Sequence, residues 1–197
     1  MQHRFACKRY DESRPISEAQ LRKILEYGRL TPTSFGLELW AFHVVKSAGK
    51  KEALFHACFD QESVATSAAT IAVVVRKAVF ANPDGELVHS RGRRFPDPLP
   101  LFIDDYRPYY EFLKGEGRLD CWLQKQGYLA IANMMSGAAA MGIQSCAIEG
   151  FHEEHVLQVL GLDGRNWQVS LLSTFGYPDE EERPKIRESL EDLVVYH

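Results

Sequence analysis

The sequence lacks the features that define several large classes of protein. Its strongest apolar run, residues 71–75, is far too short to span a bilayer, and the first residues are charged and carry no apolar segment of the signal-peptide type. The four cysteines are widely scattered and form no Cys-x-x-Cys pair, which disfavours a zinc ribbon and a thioredoxin-type motif. We therefore expect a cytoplasmic protein with reduced thiols and no membrane partner.

Glycine-rich phosphate loops and an excess of positive charge are missing as well. No Gly-x-Gly-x-x-Gly follows a strand pattern, and no Gly-x-x-x-x-Gly-Lys-Ser/Thr occurs. The formal net charge of −4 at pH 7 gives no overall attraction for nucleic acid, so we expect no nucleic-acid partner. Any dinucleotide must be bound by other means.

What is present is typical of one globular domain over residues 1–197, with 45% hydrophobic and 25% charged residues. Ser17 and Gln20 form a capping box that predicts the start of the first helix. Apolar runs predict strands at about 41–46, 71–76, 143–151 and 167–178, and the longest helix is predicted at 120–141. Helices and strands mix without a strict βαβ rhythm, so the pattern predicts an α+β fold.

Two segments have unusual compositions. The predicted helix at 120–141 is rich in small residues, which let a neighbouring helix approach closely and suit either the centre of the core or a subunit interface. Turn residues are concentrated over 82–108, so we interpret the region at about 82–118 as a loop or surface excursion from the single domain.

Three local clusters each admit two interpretations. His152 and His155 could share a metal ion, but the order His-Glu-Glu-His and the lack of an evident third ligand favour surface histidines, so we expect no metal site. In the excursion, a basic group either binds phosphate or lines a solvated loop, and an aromatic group either walls a pocket or packs against the core. These groups are Arg91, Arg93 and Arg94, and Tyr106, Tyr109, Tyr110 and Phe112.

The two ends of the chain carry further basic residues. Arg4 and Lys8 lie just before the first helix, and the segment Pro-Lys-Ile-Arg supplies Lys185 and Arg187 on alternate positions of an extended stretch, where their side chains point the same way. If the two ends converge, these side chains form a phosphate grip. If they do not, they are a basic N-terminus and a solvated tail.

Taken in order along the chain, several motifs together resemble the FMN-dependent nitroreductases. The motifs are HRFACKRYD near the start, the helix and loop ISEAQLRKILEYGRLTPTSFGLELW before a strand, AIEGF, and PKIR. The resemblance implies a central mixed sheet flanked by helices in an intertwined homodimer. It also implies an enzyme in which FMN carries the chemistry, with no catalytic side chain required.

The resembling enzymes take hydride from NADH or NADPH and reduce a small electron-poor acceptor, a nitroaromatic or a quinone, by a ping-pong mechanism. The same scaffold also serves reductive dehalogenation and ene reduction. A flavin-binding sensor or partner module with little turnover is the alternative from another class.

The resemblance also assigns cofactor-binding residues. Arg4, Lys185 and Arg187 are expected at the FMN phosphate, Phe5 and Ala6 contribute the backbone beside it, and Lys8 and Gln61 lie against the pyrimidine edge of the flavin. Ile148, Glu149 and Gly150 are expected over the ring. Thr33 and Ser34 would reach the FMN that is bound mainly by the other subunit.

Some positions depart from the family pattern. Ala6 stands where serine is usual, and Glu38 and Leu39 replace a common Gln-Pro. Val64 occupies a position that is lysine in some members, so a lysine there is expected to raise the flavin potential if Val64 faces the cofactor. If Val64 points into the core, the lysine should instead damage folding.

Overall fold

The computed structural model describes residues 2–197, which form eight α-helices and four β-strands. The helices are α1 (Glu18–Arg29), α2 (Ala48–Ala57), α3 (Glu62–Thr66), α4 (Glu86–Gly92), α5 (Leu99–Gly115), α6 (Leu119–Ala140), α7 (Glu153–Leu160) and α8 (Leu190–Leu193). The strands are β1 (Trp40–Val45), β2 (Ala69–Arg76), β3 (Gln144–Ile148) and β4 (Trp167–Gly176). The predicted α+β class and the predicted strands are confirmed.

The four strands form one sheet in the order β1-β2-β4-β3, with a helical layer on each face. On one face, α1 and α6 pack against β2 and β4 around Ile24, Ile71 and Met134. On the other face, α2, α3 and α7 pack around Leu54 and Val74. β2 is buried along nearly its whole length because it lies inside the sheet and helices cover both of its faces, as its continuous apolar sequence predicts.

The resemblance implies a sheet with both parallel and antiparallel pairs, but the observed sheet is almost entirely antiparallel. All three pairings between named strands are antiparallel. Val45, at the end of β1, lies opposite Thr70, because α2 and α3 return the chain to the end of the sheet at which β1 finishes. Within residues 2–197, parallel pairing occurs only at the isolated bridge between Ala6 and Ser145.

The prediction of a loop over residues 82–108 was wrong, because α4 and most of α5 occupy this region. Pro100 lies in the first turn of α5, where backbone N–H groups have no partner within the helix in any case, and Pro108 is accommodated inside the helix. Ile103, Tyr106 and Tyr110 recur at helical spacing and are buried. The excursion is therefore largely helical, and its apolar side chains pack in a cluster that also includes Val75 of β2 and Trp122 of α6.

The aromatic and small-residue segments both contribute to the core. Tyr106 is fully buried and its hydroxyl donates to the Ala81 carbonyl at 2.7 Å, so it packs the excursion against the domain. In α6, a β-carbon at Gly137 would lie 2.0 Å from a ring carbon of Tyr27 in α1, and one at Gly127 would lie 2.3 Å from Ser170 Oγ in β4. The small residues of α6 thus let α1 and the sheet approach it closely. No helix in the described part of the chain is both long enough and apolar enough to cross a bilayer.

Candidate functional site

The two ends of the chain meet at one cavity. Arg4 from the N-terminal segment and Lys185 and Arg187 from the C-terminal segment line it together with Gln2, and its volume is about 420 Å³. Within residues 2–197 none of these three cations forms an ion pair with a carboxylate. Desolvation and the positive charges of Arg4 and Arg187 lower the pKa of Lys185. Such a group of unpaired, mutually repelling cations suits an anion that carries several charges.

The N-terminal segment is fixed along β3 by a side-chain amide that the sequence did not single out. Gln144 accepts the Phe5 N–H at 3.1 Å through Oε1 and donates to the His3 carbonyl at 2.7 Å through Nε2. The ring of Phe5 is buried, and Ala6, which is exposed, bridges to Ser145. Gln144 is a buried polar residue at the start of β3, and no local sequence pattern marks its role.

Lys8 lies beside the same strand. Its ammonium Nζ is 3.3 Å from Cys146 Sγ. Cys146 and Ile148 are two positions apart in β3 and share one face of the sheet. Ile148 is fully buried, so only its backbone is available to a ligand.

Gln61 is held against the turn that follows β3. Its Nε2 donates to the Gly150 carbonyl at 3.0 Å and to the Cys58 carbonyl at 2.9 Å. On the other side of this turn, the Glu149 carboxylate accepts the Tyr128 hydroxyl of α6 at 3.0 Å. These contacts place Lys8, Gln61 and the turn at residues 148–150 along β3, an edge strand of the sheet. The N-terminal segment that carries Arg4 to the cation-lined cavity lies along the same strand.

Thr33 and Ser34 lie elsewhere in the chain. They precede β1, which forms the opposite edge of the sheet from β3. Ser34 N–H donates to Gln126 at 3.0 Å and Ser34 Oγ accepts from Trp122 Nε1 at 3.2 Å, both in α6. Among residues 2–197, no hydrogen bond joins Thr33 or Ser34 to another candidate residue. A single chain therefore does not bring them to the site.

The loop at residues 33–38 is held in an uncommon conformation. Phe35 and Glu38 have φ angles of 55° and 46°, in the left-handed region that non-glycine residues seldom occupy. Arg94 donates to the Gly36 carbonyl at 2.6 Å and to the Glu38 carboxylate at 2.8 Å. Of the basic group in the excursion, Arg94 thus fastens this loop, and Arg93 pairs with Glu86.

Three further residues, Val64, His152 and His155, lie outside the site. Val64 is fully buried in the apolar cluster around Leu54 and Val74, so the alternative in which it faces the cofactor is wrong. His152 and His155 are exposed beside a surface groove. Within residues 2–197 no group of three or more potential ligands is arranged to hold a metal ion.

Comparisons with known proteins assign the family. The model of the Nitroreductase family matches residues 1–177. The chain belongs to the nitroreductase family. A relative from Staphylococcus haemolyticus with the provisional name NAD(P)H nitroreductase is 32% identical, with 98% of this chain and 93% of the relative covered. YfkO of Bacillus subtilis, with the same provisional name, is 31% identical over 98% of this chain and 93% of its own.

Solved structures of nitroreductases share the fold. YdfN of Bacillus subtilis, a provisionally named nitroreductase, superposes with a TM-score of 0.81 at 25% identity, covering 98% of this chain and 95% of its own. A nitroreductase-like protein from Streptococcus mutans gives a TM-score of 0.85 at 18% identity, covering 100% and 95%. The protein is thus an enzyme, an oxidoreductase of the nitroreductase family.

Proposed function

We propose that this nitroreductase binds FMN and transfers hydride from NADH or NADPH to a small electron-poor acceptor, a nitroaromatic or a quinone. The observation that carries the proposal is the cavity at which Arg4, Lys185 and Arg187 converge without carboxylate partners. A provisionally named nitroreductase from Exiguobacterium sibiricum, solved in complex with FMN, is 21% identical with a TM-score of 0.74 over 99% of this chain and 94% of its own.

The donor set in the cavity fits an FMN phosphate. A phosphate monoester carries close to two negative charges, and guanidinium and ammonium groups bind it through charge-assisted hydrogen bonds. Arg4, Lys185 and Arg187 would hold this group and, in doing so, offset their own repulsion. The N-terminal backbone at Phe5 and Ala6 lies between this cradle and β3.

The edge of β3 would hold the flavin ring. Lys8 supplies a cation there, and Gln61, whose amide nitrogen is engaged by Gly150 and Cys58, presents its oxygen as an acceptor. The chemistry that FMN supplies when bound is hydride transfer between the nicotinamide and the acceptor. Glu149 is tied to Tyr128, so its role is to position the turn. We assign no catalytic side chain.

We further propose a homodimer in which Thr33 and Ser34 complete the site of the partner. These residues lie at the opposite sheet edge from the rest of the site in one chain. The C-terminal segment also exposes large apolar side chains, of which Tyr196 is 92% exposed and Ile186 83% exposed. A second copy would cover surface that a monomer leaves in water.

The visible spectrum of the purified protein tests the proposal. We expect a yellow protein that releases FMN on heating, that NADH or NADPH bleaches without oxygen, and that gives parallel double-reciprocal lines with a quinone acceptor. Arg187→Glu should lose the colour, because a carboxylate then faces the phosphate. Arg22→Glu is the matched control, because Arg22 is exposed on α1. A wild-type protein that stays colourless in excess FMN would refute the proposal, and bound flavin that NAD(P)H never bleaches would instead indicate a sensor.

A further inference from the structure

The Glu180 carboxylate joins the two ends of the chain beside the cation-lined cavity. Glu180 accepts the backbone N–H of Lys8, and the same oxygen accepts the backbone N–H of Arg9 at 3.3 Å. The second oxygen of Glu180 is 2.7 Å from a guanidinium nitrogen of Arg183. The Glu180 side chain is only 18% exposed, although the segment around it is largely exposed.

The neighbouring contacts support the same junction. The Asp179 N–H donates to the Arg9 carbonyl at 3.0 Å, and Asp11 N–H donates to the Tyr177 carbonyl at 2.9 Å. Arg9 and Asp179 also form an ion pair, but both side chains are about half exposed, so solvent weakens it. Glu180 is therefore the most protected charged contact at this junction.

The cradle needs such a junction. Arg4 lies four positions before Lys8, and Lys185 lies five positions after Glu180, so the two halves of the cradle project from either side of it. In the absence of an anion, Arg4, Lys185 and Arg187 repel one another. Without a contact that holds the ends together, this repulsion would separate the two halves.

Glu180 is ionised in this setting. Partial burial works against its charge, but the hydrogen bond from the Lys8 N–H, together with those from Arg183 and Arg9, outweighs burial and lowers the pKa of the Glu180 carboxyl. A carboxylate that accepts several N–H groups is held firmly in one position.

We propose that Glu180 is a positioning residue for the cofactor phosphate: by bridging the backbone at Lys8 and Arg9, it holds Arg4 in register with Lys185 and Arg187. The proposal rests on the proposed function, because the phosphate is that of FMN. Glu180 itself touches no ligand. Its effect should be greatest at the phosphate end of the site, because the Lys8 ammonium has a separate contact with Cys146 Sγ.

The test compares FMN with riboflavin, which has the same ring and no phosphate. Protein freed of flavin is titrated with each ligand by flavin fluorescence for wild type, Glu180→Ala and Glu180→Gln. Glu181→Ala is the matched control, since Glu181 is an exposed neighbour that makes no side-chain hydrogen bond or ion pair within residues 2–197. Circular dichroism establishes that each variant is folded.

We expect Glu180→Ala to raise the FMN Kd about tenfold, or ~1.4 kcal/mol, because two N–H groups lose a charged acceptor. Glu180→Gln keeps an oxygen acceptor without the charge, so it should raise the Kd by roughly threefold. The riboflavin Kd should stay within about twofold of wild type for both variants, as should kcat in saturating FMN. Glu181→Ala should match wild type.

Two results would overturn the role of Glu180. One is an unchanged FMN Kd in Glu180→Ala, and the other is an equal loss of affinity for FMN and riboflavin, which would show general structural support. If Glu180→Ala does not fold, Glu180→Gln decides by the same FMN-to-riboflavin comparison. A wild-type protein that binds neither flavin would instead overturn the proposed function, so the two failures are distinguishable.

Discussion

Gly127→Ala is a sensitive test of the packing between α6 and the sheet. A β-carbon at this position would lie 2.3 Å from Ser170 Oγ, 2.6 Å from Ser170 Cβ and 3.0 Å from Val73 Cγ1. The Ser170 β-carbon is attached directly to the backbone of β4, so it cannot move away without shifting the strand. Ser170 Oγ is in addition fixed by its hydrogen bond to the Gln124 carbonyl at 2.5 Å.

The expected magnitude follows from two opposing effects. Helix propensity alone favours alanine over glycine by about 1 kcal/mol. Overpacking against a fixed atom costs up to about 3 kcal/mol, which leaves a net loss of about 2 kcal/mol in the free energy of unfolding. For a chain of this size, that loss corresponds to a decrease in Tm of roughly 4–8 °C.

The assay is thermal unfolding followed by circular dichroism at one protein concentration and one FMN concentration, because association and ligand binding both shift Tm. Gly49→Ala in α2 is the matched control, since nothing lies within 4 Å of its added β-carbon. We expect its Tm to be unchanged or higher. In a protein that already carries Ser170→Gly, adding Gly127→Ala should no longer lower the Tm, because the side chain that it would contact is gone. A Tm for Gly127→Ala at or above that of wild type would refute this account of the packing.

Three further predictions concern assembly, the core and the thiols. Sedimentation should show a homodimer whose interface exceeds roughly 2,000 Å², as in permanent complexes; a folded, FMN-loaded monomer would contradict this. Val64→Lys should unfold the protein or lower its Tm sharply, because it places a charge in an apolar cluster. Ala65→Lys, at the partly exposed next position, should be tolerated. Equal stability of the two variants would count against the burial of Val64. Burial raises the pKa of the Cys7 and Cys58 thiols from 9.0 to about 12. As the pH rises above about 9, the unfolded chain therefore loses these protons before the folded protein does. The free energy of unfolding should fall over this range. In Tm measurements across this range, Cys58→Ala should show a shallower decline than wild type, and an identical decline would exclude Cys58 as a contributor.

Local sequence patterns predicted the parts of the fold that local interactions determine. The capping box of Ser17 and Gln20 is present, with the Gln20 N–H donating to Ser17 Oγ at 3.2 Å, and the apolar run in β2 marks the buried centre of the sheet. The prediction failed for α5 because proline is typical of turns, whereas here Pro98 is the N-cap of the helix, Pro100 lies in its first turn and Pro108 is accommodated inside it. Their positions in the helix, and the spacing of Tyr106 and Tyr110, carried the better signal.

Contacts between distant residues account for what the sequence did not predict in the candidate site. Gln144 binds a backbone amide 139 positions away, and Glu180 binds one 172 positions away, so no local pattern marks either residue. The meeting of Arg4 with Lys185 and Arg187 was predicted only on the condition that the chain ends converge. The exclusion of Val64 from the site depends on which face of α3 turns inward, and a single short helix does not reveal that.

Arg9 and Asp179 are in contact in the folded protein but are synthesised at very different times. A ribosome adds on the order of 5–20 residues per second, so roughly ten to thirty seconds pass between the emergence of the two residues. During this time the backbone N–H groups of Lys8 and Arg9 lack their Glu180 acceptor, and Arg4 is without Lys185 and Arg187. The cation-lined cavity therefore forms only after Lys185 and Arg187 have been synthesised, long after Arg4.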